Sequence, residues 1–236
     1  MRYNSAGMSA AAAGSAKFQN ASDQSLLISF GDTIGLQAHE KVRKFLRLLE
    51  LEPVPGIRDL HPAYCSVLIR FDALQLRHER LKSLLRKHLR GLKTVTLPEP
   101  RLIEIPVCYD EDFGPDLPEV CALHDLTAEQ AIHLHSSKMY LVYFLGFVPG
   151  FAYLGELPKT LVTPRLTAPR TKVLPGSVGI AGNQTGVYPF ATPGGWRLIG
   201  RTPTPMFRGG SSLLAIGDRV RFAPISRERF AALERT

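Results

Sequence analysis

The side chains able to do chemistry gather in one stretch. Residues 157–217 contain no Asp, Glu, His or Cys, yet they carry seven cations: Lys159, Arg165, Arg170, Lys172, Arg197, Arg201 and Arg208. The formal net charge of the chain is +8, so these seven nearly account for it. A glycine-rich, cationic segment without carboxylates reads as a surface for an anionic ligand. Arg170 and Arg201 are each able to grip a carboxylate or phosphate with two parallel N–H bonds, and the stretch offers no carboxylate to occupy them instead. Gly176, Gly179, Gly182, Gly186, Gly194 and Gly195 would let backbone come close to a ligand. Gln184, Thr185, Tyr188 and Thr192 add neutral hydrogen bonds, while Phe151 and the only tryptophan, Trp196, add apolar walls. Each has a plainer reading: glycines as turn residues, arginines as solvated surface, Trp196 as core.

Proton transfer is what the stretch lacks. Apart from Tyr188 or a lysine it holds no general acid or base, so such a group would come from Glu156, from His135 or from another chain. His133 and His135 stand two apart, which on a helix points them about 200° apart and rules out a shared metal. His135 falls on the side of Ala131 and Ile132, where a hydrogen-bonded core histidine is the plainer reading. The residues 209–212 (GGSS) are not a phosphate-binding GxxxxGK[ST] loop, and no GxGxxG follows a strand; HExxH, EF-hand and GxSxG patterns are also missing. The positive charge forms no lysine run, aromatic residues do not interleave with it, and no nucleic-acid-binding spacing appears, so nucleic acid is not the expected partner.

The elements that must position these residues follow from periodicity. Residues 24–30 alternate as a strand; Val42, Phe45, Leu46 and Leu49 mark an amphipathic helix; residues 57–60 and 64–71 form a hairpin. Residues 74–89 form a second helix and 101–107 a further strand, giving the β-α-β-β-α-β order of a ferredoxin-like domain. Short helices follow at 115–123 and, behind the capping box of Thr127 and Gln130, up to residue 136. Beyond an aromatic strand at 138–147, short β-rich runs alternate with Gly and Pro, as in a barrel or sandwich. The expected class is therefore α+β: a tail at 1–21 without order, a ferredoxin-like domain at 22–136 and an all-β domain at 137–236. Cys65, Cys108 and Cys121 lack CxxC spacing and read as reduced thiols of a cytoplasmic protein. No apolar run approaches the roughly 20 residues that span a membrane, so a membrane association is not expected.

Several consecutive motifs carry a resemblance: EIPVCY (104–109), FGPDL (113–117), GFVPGFAYL (146–154), Pro169-Arg170, GSVGIAG (176–182), QTGVYP (184–189), PGGW (193–196) and LIGRTP (198–203). Across about residues 22–225 the chain resembles the KipI family. That family comprises the B component of prokaryotic 5-oxoprolinase (PxpB) and also goes by the label allophanate hydrolase subunit 1. The departures are Leu174-Pro175 before Gly176-Ser177, and Ala152 where the family commonly has proline. The resemblance implies a cyclophilin-like β-barrel as the second domain and a complex with two further 5-oxoprolinase components, PxpC and PxpA. It implies cleavage of 5-oxo-L-proline to L-glutamate with ATP and its Mg2+ as co-substrate and no tightly bound cofactor. Arg170, Arg201, Tyr188 and His135 are the catalytic candidates under it. The loop residues Phe147, Pro149, Gly150 and Phe151 would close over a substrate held by Gly176, Ser177, Gly179, Gln184, Thr185, Thr192, Gly194, Gly195 and Trp196. The family also includes an inhibitor of a sporulation histidine kinase, so a histidine kinase stands as the alternative partner, and an allophanate or urea-type carboxyltransferase component as the alternative enzyme.

Overall fold

Alternation decides the first sheet. Leu26, Ile28, Val67, Ile69 and Phe71 are all buried, and they lie on one face of β2 (Ser25–Ser29) and β4 (Ser66–Phe71). In the computed structural model, which describes residues 16–235, a strand precedes them: β1 (Lys17–Ser22) forms a hairpin with β2. The helix α1 (Leu36–Leu51) buries Val42, Phe45, Leu48 and Leu49. β3 (Ile57–Pro62) pairs with β4, and α2 (His78–Arg90) buries Leu81 and Leu85. Each such buried leucine or phenylalanine contributes about 1.5–3 kcal/mol by leaving water.

The sheet order is β1-β2-β4-β3, which corrects the ferredoxin-like expectation. The edge place beside β2 is taken by β1, not by the strand near residue 101. A hairpin between neighbours closes a far shorter loop than a strand returning from residue 101. Residues 17–21, expected to lack order, therefore belong to a strand; residues 1–15 lie outside the described residues.

The chain divides into two units between Leu97 and Pro98, not at 136. The reason is the pairing of β5 (Leu102–Val107), whose partner is the last strand of the chain. In the second unit α3 (Leu117–His124) and α4 (Ala128–Ser136) follow, then β6 (Tyr140–Leu145), β7 (Ala152–Gly155), β8 (Arg170–Val173), β9 (Ser177–Ala181), β10 (Gln184–Val187), β11 (Thr192–Gly194), β12 (Arg197–Arg201), β13 (Phe207–Arg208), β14 (Ser211–Ser212), β15 (Arg219–Pro224) and α5 (Arg227–Glu234). The main sheet runs β12-β9-β10-β7-β6-β15-β5, with β15 and β5 parallel. Its two edge strands meet. Cys108, just past β5, exchanges both backbone hydrogen bonds with Arg201 of β12, each at 2.9 Å. That bridge all but closes the sheet into a barrel. Gly200 permits it, since a Cβ there would stand 2.8 Å from the Cys108 carbonyl oxygen. Tyr140, Val142, Leu154, Val178, Ile180 and Phe222 fill the interior. All three cysteines are free, and no helix among the described residues is long and apolar enough to cross a membrane.

Candidate functional site

Two glycines of the barrel sheet and one of the β8–β11 pair make room for an aromatic cluster. A Cβ on Gly179 would meet Trp196 at 3.1 Å, one on Gly186 would meet Phe151 and Trp196 at 3.1 and 3.2 Å, and one on Gly194 would meet the Tyr188 hydroxyl at 2.5 Å. Gly179 and Gly194 therefore leave room for these side chains to pack. Phe151 is the hub: its ring centroid lies 5.2 Å from Tyr188, 5.4 Å from Trp196 and 5.0 Å from Tyr153. Tyr188 is pinned by its backbone, donating to the Ser177 carbonyl at 2.9 Å and accepting from Gly176 N–H at 2.7 Å. Gly176, at φ +80, accepts the left-handed turn this requires.

Beside the cluster lies a cleft of about 240 Å³, lined by Phe147, Phe151, Tyr153, Arg165, Leu166, Thr167, Pro169, Tyr188, Gly195 and Trp196. Phe147 stands at its mouth, exposed, with φ +71, a conformation uncommon for a residue with a side chain. A shallower hollow of about 310 Å³ adjoins the same loop and is lined by residues 145–150 and Ser212, including Pro149 and Gly150. The aromatic, loop and Gly195 candidates are thus brought together.

The cations sort differently. Carboxylates from outside the stretch pair three of the seven: Asp116 with Arg170 at 2.5 Å, Glu119 with Arg197, and Glu234 with Arg201 at 3.7 Å. The stretch itself offers Arg170 and Arg201 no carboxylate, and the N-cap of α3 and the end of α5 supply one to each. Arg201 also donates to the Pro175 carbonyl at 2.9 Å and stacks over Phe230 of α5, away from the cleft lining. Arg170 likewise stands outside the lining. Arg165, which nothing in the sequence set apart from the other cations, is the one in the cleft, and among the described residues no carboxylate reaches it. Burial pushes the Tyr188 hydroxyl above its usual pKa, with Arg165 and Arg170 pulling the other way, so it is a donor at neutral pH. The Thr192 hydroxyl is buried with no hydrogen-bond partner. Gln184 is half-buried in β10, paired with Ala181 and Gly155.

His135 and Thr185 belong to the barrel interior. Thr185 Oγ1 donates to the Gly179 carbonyl at 3.0 Å, so it must accept from His135 Nε2–H at 2.9 Å. Nδ1 then accepts the Tyr109 hydroxyl proton at 2.8 Å, and Phe222 stacks on the ring at 4.5 Å. Burial lowers the His135 pKa to about 3 and holds the ring neutral. Neither residue lines the cleft.

The comparisons with known proteins agree with one another. Residues 16–214 match the family described as carboxyltransferase domain, subdomain C and D. The B component of 5-oxoprolinase from Bacillus subtilis (strain 168) is 39% identical over 223 residues, covering 89% of this chain and 93% of that protein. Its counterpart from Escherichia coli O157:H7, also a 5-oxoprolinase B component, is 57% identical over 130 residues, 54% of this chain and 60% of that one. Among solved structures, TTHA0988 superposes with a TM-score of 0.75 at 37% identity over 86% of this chain; the match spans only 40% of the length of that solved chain.

Proposed function

The chain belongs to the family of carboxyltransferase domains, subdomain C and D, with B components of 5-oxoprolinase among its relatives, and from that premise we propose that it is the PxpB component of an ATP-dependent 5-oxoprolinase. With PxpA and PxpC it cleaves 5-oxo-L-proline to L-glutamate. The barrel is read as cyclophilin-like, with the cleft on its flank as this chain's half of a site shared with PxpC.

The observation that carries the reading is the cleft's composition: aromatic walls, one guanidinium without an acidic partner, and one hydroxyl donor. The substrate 5-oxoproline is a small flat ring bearing one carboxylate. Trp196 and Phe151 cover the ring, Arg165 takes the carboxylate, and Tyr188 donates to an oxygen. At about 240 Å³ the cleft falls below the roughly 300–1,000 Å³ typical of sites for larger ligands, so the nucleotide is assigned outside this cleft. The Mg2+ is read as travelling with the nucleotide phosphates.

In the reaction the lactam oxygen attacks the γ-phosphorus of ATP and ADP departs. One water adds to the activated ring carbon, and the C–N bond breaks with a proton passing to nitrogen, leaving an acyl phosphate. A second water hydrolyses it to glutamate and phosphate. This chain holds and orients the substrate. The base that activates water comes from another component of the complex, since no carboxylate, histidine or cysteine lines the cleft. The test is reconstitution with PxpA and PxpC, followed by ATP-dependent glutamate release with each chain left out in turn. Release that continues without this chain would end the reading.

A further inference from the structure

The motif at residues 113–117 has no part in the cleft lining, yet its geometry is unusually constrained. Phe113 and Gly114 both donate to the Asp110 carbonyl at 2.8 Å, and a Cβ on Gly114 would stand 2.3 Å from the Ile199 carbonyl oxygen. The turn is therefore pressed directly onto β12. Asp116 follows it at the N-cap of α3, where a carboxylate ordinarily accepts from its own helix. It does not: no side-chain cap bond forms. Instead Oδ2 accepts from Leu198 N–H at 2.6 Å, and Oδ1 accepts from Arg170 Nη2 at 2.5 Å. Asp116 also donates its own N–H to the Leu198 carbonyl at 2.9 Å, and only 6% of the residue is exposed.

Arg170 in turn faces Gly194 across the β8–β11 pair, and Gly194 is the residue that seats the Tyr188 hydroxyl. Its second terminal nitrogen, Nη1, is buried without a partner. Both oxygens of Asp116 are thus spent on holding two strands and one guanidinium behind the polar wall of the cleft. We propose that Asp116 is a positioning residue for 5-oxoproline binding, acting through Arg170 to hold the Tyr188 side of the cleft; this rests on the function proposed above. A helix cap would not need the carboxylate turned away from its helix, and a mere surface ion pair would not be buried against a backbone N–H.

The test uses the reconstituted complex. Asp116→Asn keeps an acceptor for Leu198 and removes the charge that holds Arg170. It is expected to raise KM for 5-oxoproline about tenfold, with KM for ATP unchanged and kcat within about twofold. Arg170→Gln is expected to do the same, and the double variant to be no worse than either. Effects that multiply in the double variant, a KM for ATP that moves equally, or an Asp116→Asn enzyme with unaltered kinetics would each overturn the inference while leaving the functional reading intact. A complex that works without this chain would overturn both. Should Asp116→Asn fail to fold, Asp116→Glu, which keeps the charge but shifts it by one methylene, is judged by the same criteria.

Discussion

Acidification is expected to destabilise the barrel through His135. Its pKa falls from 6.5 in the unfolded chain to about 3 in the folded one, because burial penalises the charged ring. Between those values the unfolded state binds the proton and the folded state does not. The stability contributed by the neutral ring is therefore fully present above pH 6.5 and is lost as pH falls toward 3. One proton corresponds to a slope approaching about 1.4 kcal/mol per pH unit. Integrated from pH 7 to pH 5, the loss is about 2 kcal/mol, a large part of the roughly 5–15 kcal/mol of an ordinary domain. Trp196 is the only tryptophan and lies in the barrel unit, so its fluorescence during urea unfolding reports on that unit alone. Unfolding free energies at pH 7, 6 and 5 are to be compared between the native chain and His135→Gln, which does not titrate. The variant is expected to start less stable, having lost part of the Tyr109–His135–Thr185 chain, but to lose about 2 kcal/mol less on going to pH 5. Parallel pH dependences in the two proteins would refute the reasoning, whatever their absolute stabilities.

Other outcomes are expected from the same geometry. Gly194→Ala places a carbon 2.5 Å from the Tyr188 hydroxyl oxygen and should cost the barrel unit about 1–3 kcal/mol in urea unfolding. Adding Tyr188→Phe removes the hydroxyl and should restore part of that loss; a double variant no more stable than Gly194→Ala would count against the contact. Arg165→Gln in the reconstituted complex should raise KM for 5-oxoproline about tenfold, the value of one charge-assisted hydrogen bond at an exposed site. Arg165→Lys should recover some of it, and 2-pyrrolidinone, which lacks the carboxylate, should bind the native and Gln forms alike. Titrating the isolated chain with 5-oxoproline should change Trp196 fluorescence if the ring covers the indole; a signal indifferent to saturating ligand, in a chain that supports turnover, would move the ring off Trp196.

Local chemistry was legible in the sequence. Alternation located β2, β4 and β5, the Thr127–Gln130 box opened α4, and the glycine-rich cationic stretch marked the face that bears the cleft. Such signals act between residues a few positions apart, through side-chain period and capping. What the sequence could not settle was partnership at long range. The strand at residues 102–107 suited either sheet, and only its parallel pairing with β15, 117 residues further on at Leu102 and Arg219, assigned it to the barrel. The charge count likewise overstated the free cations, because Asp116 and Glu119 reach Arg170 and Arg197 from a helix far upstream. Composition counts charges in a window of chain. The fold pairs them across space, where burial against a backbone N–H decides which arginine is spent on structure and which, as with Arg165, is left facing the cleft.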